Sequence, residues 1–289
     1  MADSAAAVIE AHDIHTRFGD QVVHAGVTFS IDRGELVAVI GGSGSGKSTL
    51  LREVVGLQRP SSGQIRLLGE EVWTAAPATL NALRQRVGML FQDGALFSSM
   101  SVGENIAVPL REHTRLSPAT IERLVTLQMA LVGLTPADGE KMPSELSGGM
   151  RKRAGIARAL ALEPEILFLD EPTSGLDPVT ARQFDQLLLS LNRSLGITVM
   201  LITHDLDTLI GITSRIIAIG NGTVIADGPF AQVRHHDDPW LREYFNSRPA
   251  PRDAPTPLDQ RPSSSQPLSQ APSPAPSLSR PQMRLPSYP

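Results

Sequence analysis

The chain has 289 residues, 41% of them apolar, and a formal net charge of −4. That length holds one large domain or two small ones, and the mild acidic balance, with no dominant basic stripe, argues against nucleic acid as a partner. Cysteine is absent, which excludes disulfides, thiolate chemistry and cysteine-ligated metal, and allows a reducing compartment.

Residues 1–10 lack a basic segment followed by an apolar core, so no signal peptide is expected. No run approaches the roughly 18–20 apolar residues that span a bilayer. A soluble protein is expected, with any membrane role exerted through a partner.

Val8 to Phe18 and Gln21 to Ile31 read as alternating strands, with turns at Gly19-Asp20 and Asp32-Arg33-Gly34. On its strand alone, Phe18 reads as a core aromatic. Leu36-Val37-Ala38-Val39-Ile40 is a buried-strand run, and Thr49 to Val55 reads as a helix. Between them, Gly41-Gly42-Ser43-Gly44-Ser45-Gly46-Lys47-Ser48 fits G-x-x-x-x-G-K-[ST] in the strand–loop–helix context that the pattern requires. Its glycines let successive N–H groups point into one concavity, and the helix N-terminus adds partial positive charge. Lys47 can then reach β- and γ-phosphates, and the Ser48 hydroxyl can ligate Mg²⁺. These residues, with Thr49, are read as a nucleotide site.

Pro60 to Gly63 is a turn, Gln64 to Leu68 a strand, Ala78 to Arg86 a short helix, and Val87 to Phe91 a strand ending at Gln92. Ser101 to Leu131 is helix-rich, with breaks expected at Pro109 and Pro118. A helical subdomain over about residues 95–165 is therefore expected between two halves of an α/β core. Arg151 to Leu162 reads as one of its helices.

Ile166-Leu167-Phe168-Leu169 is a second buried-strand run and ends at Asp170-Glu171, the Walker B pattern. At such a strand end Asp170 can bind Mg²⁺ and Glu171 can polarise the attacking water; alone the pair reads better as a solvated strand end, and the phosphate loop tips the reading to function. Ala181 to Leu195 has helical spacing. Ile197 to Ile202 is a third apolar strand, ending at Thr203-His204-Asp205, where open α/β sheets bind ligands. Ile216–Ile219 and Thr223–Asp227 read as a hairpin around Asn221-Gly222. Asp238 to Asn246 reads as a helix with Trp240, Leu241, Tyr244 and Phe245 on its apolar face. Residues 247–289, dominated by Pro, Ser, Gln and Ala, are expected to be a disordered tail.

With Leu146-Ser147-Gly148-Gly149-Met150 before the helix at Arg151, the chain over roughly residues 8–246 resembles the ATPase subunits of ABC transporters. The phosphate loop, Gln92, the LSGG stretch, Asp170-Glu171 and His204 stand in family order, and Ser174-Gly175-Leu176-Asp177 matches the family's D-loop. Met150 departs from the usual Gln. The resemblance implies a P-loop α/β fold, a mixed sheet flanked by helices with antiparallel N-terminal strands and an inserted helical subdomain. It implies ATP and Mg²⁺ as cofactors, and a head-to-tail homodimer in which Ser147, Gly148 and Gly149 close over the partner's ATP. Phe18 becomes the adenine platform and Asp177 joins the nucleotide-binding set. Gln92 senses γ-phosphate and Mg²⁺ and reports to an integral-membrane permease. Glu171 and His204 are the catalytic residues.

Phe91 to Val102, continuing through Asn105 and Pro109 to Thr114, looks like the ATPases of Mla-type systems, as do Pro143-Ser144-Glu145 and Ala161-Leu162-Glu163-Pro164 around the LSGGM stretch. That resemblance implies phospholipid moved between bacterial membranes, a periplasmic MCE-domain partner, and a place on the cytoplasmic face of the inner membrane. The competing readings are an amino-acid or peptide importer ATPase, a soluble ABC ATPase acting on DNA or ribosomes, and a catalytically dead binding module. One motif set without sustained heptads argues against the soluble ATPase. The presence of Lys47, Glu171 and His204 argues against the dead module.

Overall fold

The computed structural model describes residues 7–92 and 94–246. Strands β1 (Ala7–Phe18) and β2 (Gln21–Asp32) come first, then β3 (Leu36–Gly41), helix α1 (Lys47–Val54), β4 (Ser62–Leu67), the short β5 (Glu70–Glu71), α2 (Pro77–Gln85) and β6 (Val87–Leu90). A helical block follows, with α3 (Val102–His113), α4 (Pro118–Leu131), α5 (Pro136–Gly139), a 3-10 turn at Pro143–Glu145 and α6 (Gly148–Leu160). The chain continues through β7 (Ile166–Asp170), α7 (Pro178–Leu195), β8 (Thr198–Ile202), α8 (Leu206–Ile212), β9 (Arg215–Gly220), β10 (Thr223–Gly228), α9 (Phe230–Arg234) and α10 (Pro239–Asn246).

The strands form two sheets. A four-stranded antiparallel sheet has the order β2-β1-β4-β5, and a six-stranded sheet the order β10-β9-β3-β8-β7-β6. In the larger sheet β9 through β6 are parallel and β10 is antiparallel at the edge. Its strands read as unbroken apolar runs because both faces are covered. Alternate residues of β3 show this: Leu36, Ala38 and Ile40 join the core under the helices, with Leu167, Leu169, Val199 and Leu201. Val37 and Val39 face the opposite core, with Ile9, Ile14, Leu50, Val54, Phe168 and Met200. Side chains that alternate along a pleated strand give one run two buried faces.

The expected break at Pro109 does not occur: Pro109 lies inside α3. A proline within a helix forfeits one backbone hydrogen bond and costs about 3 kcal/mol, but this helix is anchored ahead of it. Ser101 and Glu104 form a reciprocal capping box. The buried Asn105 amide donates to the carbonyls of Phe97, Met100 and Ser101 at 3.1, 3.1 and 2.9 Å, and Ile106, Ala107 and Leu110 are buried on the inner face. Pro118 does begin a helix, at the first position after the Ser117 cap. Helix α6 begins at Gly148, three residues ahead of the expected Arg151, because Ser147 caps it by accepting from the Met150 N–H at 3.2 Å. In α10, Leu241 and Phe245 are buried, and Trp240 and Tyr244 pack partly buried against the same core. The expected tail, 247–289, lies outside the described residues. Among the described residues no helix is long and apolar enough to cross a membrane.

Candidate nucleotide site

Strand register brings three chain segments to one sheet edge. Val39 of β3 pairs with Ile202 of β8, and Ile202 pairs with Asp170 of β7. The loop after β3, the acids ending β7 and Thr203-His204 after β8 therefore emerge side by side at the carboxyl ends of parallel strands, where such sheets bind ligands.

The loop 41–48 wraps the start of α1. Gly46 is its cap residue, with φ of 91°, a left-handed conformation. A Cβ there would also stand 2.5 Å from both His24 Nε2 and Val23 Cγ1, so only glycine fits. Ser45 N–H donates to Gly42 O at 3.1 Å, closing the turn. The Lys47 ammonium bends back over the loop and donates to Gly41 O at 2.9 Å and Gly42 O at 3.0 Å. Burial pulls the Lys47 ammonium below its usual range, and the carboxylates of Glu171 and Asp170 oppose that shift.

Ser48 Oγ donates to Asp170 Oδ1 at 3.4 Å, a long contact. Burial raises the Asp170 carboxyl above the usual carboxylate range, partly offset by the Ser48 hydrogen bond. Glu171 adopts φ of 49°, uncommon for a non-glycine residue. Its N–H donates to Ile202 O at 2.9 Å, which ties β7 to β8 just where the strands end. Its Oε1 lies 3.0 Å from His204 Nδ1. A carboxylate accepts only, so Nδ1 is the ring nitrogen that donates.

These groups line a cleft of about 620 Å³. Of the expected site residues, Phe18, Gly41, Ser43, Gly44, Gly46, Lys47, Ser48, Thr49, Gln92, Asp170, Glu171 and His204 line it. Gly42 and Ser45 belong to the same loop but do not face the cleft; Gly42 instead lies against the Trp240 indole of α10. Phe18 is 51% exposed, a cleft wall and not a core aromatic. Gln21 and Val23 line the cleft too, and sequence reading missed them, since nothing sets them apart from other residues of an alternating strand. A larger groove of about 1030 Å³ on the helical block, flanked by α3 and α4, contains none of the strand-end residues.

Ser147, Gly148, Gly149 and Asp177 are not brought into this cleft. The first three form the start of α6, and Gly149 packs on Thr180 of α7. Asp177 caps α7, accepting from the N–H groups of Val179 and Thr180 at 3.0 Å each. Hydrogen bonds from Thr180 hold its carboxyl below the usual range. Buried Lys152, also missed in the sequence, ties α6 to this region by donating to Ser174 O at 2.7 Å and Glu171 O at 3.3 Å.

The donor set suits Mg²⁺, which takes oxygen ligands and keeps several waters or phosphate oxygens. Ser48, Gln92 and Asp170 offer a hydroxyl, an amide and a carboxylate on one cleft. Among the described residues no group of three or more His, Cys, Asp or Glu could hold a metal.

The sequence model of the family described as ABC transporter matches residues 24–174. The chain is 36% identical over 258 residues to the intermembrane phospholipid transport system ATP-binding protein MlaF of Escherichia coli, covering 89% of this chain and 94% of that one. It is 39% identical over 240 residues to the probable ribonucleotide transport ATP-binding protein mkl of Mycobacterium tuberculosis, covering 83% and 67%. A solved dimer of an ATP-binding cassette in a post-hydrolysis state, bound to ADP and Pi, superposes with a TM-score of 0.70 at 29% identity, over 76% of this chain and 98% of that one.

Proposed function

The chain belongs to the ABC transporter family as an ATP-hydrolysing cassette, and from that premise we propose that it drives a permease that moves phospholipid between the inner and outer membranes. The loop 41–48 and Lys47 grip the phosphates, Phe18 stacks on the adenine, and Glu171 accepts a proton from the attacking water. The water oxygen bonds to the γ-phosphorus, the bond from that phosphorus to the β–γ bridging oxygen breaks, and ADP and phosphate leave. His204 hydrogen-bonds the γ-phosphate and holds the water. Ser48, Gln92 and Asp170 would hold Mg²⁺, which would supply charge neutralisation at the phosphates.

Ser147, Gly148, Gly149 and Asp177, which do not line their own chain's cleft, serve the partner's ATP in a head-to-tail homodimer. Backbone amides at the start of α6 suit that role, since a helix N-terminus favours anions. ATP closes the dimer and hydrolysis opens it. The helical block passes the motion to an integral-membrane permease at the cytoplasmic face of the inner membrane, with a periplasmic MCE-domain protein beyond it.

One observation supports the cargo most directly: similarity to the E. coli phospholipid-system ATPase runs nearly end to end in both chains. An amino-acid or peptide importer is the second reading, supported by 40% identity over 230 residues to the methionine import ATP-binding protein MetN of Brucella abortus. The test is gentle-detergent purification of the tagged chain from its native membranes, with mass spectrometry of bound proteins and extracted lipids. A multi-spanning permease with an MCE-type protein and phospholipid is the expected result. A permease with a soluble-solute binding protein would overturn the cargo.

A further inference from the structure

Beneath the phosphate loop, outside the cleft, lies a polar trio contributed by three elements: Thr16 of β1, His24 of β2 and Glu53 of α1, 2%, 0% and 0% exposed. Buried polar groups cost free energy unless they find partners. Thr16 Oγ1 donates its single proton to Glu53 Oε1 at 2.6 Å. The same hydroxyl oxygen is 3.1 Å from His24 Nδ1, and Glu53 Oε2, which makes no hydrogen bond, lies 3.2 Å from that nitrogen. On the far side of the ring, Nε2 is 3.2 Å from the carbonyl oxygen of Gly46, which can only accept. Nε2 is therefore the ring nitrogen that donates to Gly46.

The Gly46 carbonyl has a second donor, the Leu50 N–H at 2.8 Å, so both its lone pairs are occupied. A planar trans peptide points its C=O and its N–H in opposite directions. Fixing the Gly46 oxygen from below therefore fixes the Lys47 N–H above, within the loop that lines the cleft. Helix α1 alone would supply only the Leu50 bond; His24 adds a restraint from outside the helix.

We propose that His24, held by Glu53 and Thr16, is a positioning residue for nucleotide binding that orients the Gly46–Lys47 peptide so that its amide meets the phosphates. This rests on the reading of residues 41–48 as the phosphate loop. In the full chain, His24→Leu should weaken ATP binding about ten-fold, the upper effect of one buried hydrogen bond, and also lower Tm. Pairing it with Glu53→Gln removes the stranded carboxylate and should restore Tm but not affinity. His24→Gln, whose amide can reach Gly46 O, should stay within about three-fold of wild type, less than the loss of a neutral hydrogen bond. Affinity regained in the His24→Leu/Glu53→Gln pair, or a His24→Gln variant as weak as His24→Leu, would overturn the proposal. Lys47→Ala is the control: if it keeps wild-type ATP affinity, the loop assignment fails, and not the role of His24.

Discussion

Asp185 of α7 offers a stability test that needs no transport assay. Its side chain is 5% exposed. One oxygen accepts from Thr208 Oγ1 of α8 at 2.9 Å, and Oδ1 has no hydrogen-bond partner. Burial raises its pKa from 3.8 to about 7, with Asp205 and Asp207 adding to the rise and Thr208 opposing it. The unfolded chain releases this proton near pH 3.8 and the folded chain near 7, so between those values the folded state binds one proton more. Its contribution is full below the lower value and is lost as pH rises through the upper one. A displacement of about three units corresponds to about 4 kcal/mol across the window. Asp185→Asn keeps an acceptor for Thr208 and removes the titration. At pH 8 the variant should melt roughly 10 °C above wild type, by the usual size scaling, with the gap closing towards pH 5. Differential scanning fluorimetry of both proteins from pH 5 to 8 reads this directly. Parallel Tm curves would show that residue 185 holds no proton that folding depends on.

Glu171→Gln keeps the shape of the contact with His204 but removes the base; turnover should fall roughly 10²–10⁴-fold, and ATP should stabilise a dimer by gel filtration. Turnover at the wild-type rate would remove Glu171 from catalysis. Gly149→Ala places a Cβ 2.6 Å from Thr180 Cγ2, and Thr180 cannot turn aside freely, because its hydroxyl bonds Asp177. A loss of about 1–3 kcal/mol is expected. Adding Thr180→Ser deletes the offending methyl, keeps the hydroxyl and should restore Tm; no recovery in a thermal melt would dismiss the contact.

The large sheet was readable because its strands are buried on both faces and so appear as continuous apolar runs, as at Ile166–Asp170 and Thr198–Ile202. The turn at residues 41–48 between β3 and α1 was readable because all its residues are neighbours in sequence. What sequence hides is distance and compensation. Pro109 reads as a breaker because the anchoring of α3 by Asn105 is tertiary. Helix α8 went unseen because seven residues give too little periodicity, and its cap, Asp205, is the residue after His204. Thr16 and His24 meet only because β1 and β2 pair in that register, and Glu53 joins them from 37 residues away. Each alone is one polar residue in an apolar pattern, and the sequence contains nothing that groups them.

The Lys47 ammonium holds the carbonyls of Gly41 and Gly42, two residues of its own loop. An incoming anion must therefore compete for a cation that is already engaged. Giving up either contact costs about 1.5–3 kcal/mol, the contribution of a hydrogen bond from a charged group. Chloride, with one diffuse charge and a strong preference for water, offers too little in exchange. A polyphosphate engages the ammonium and several loop amides at once and repays that cost across many contacts.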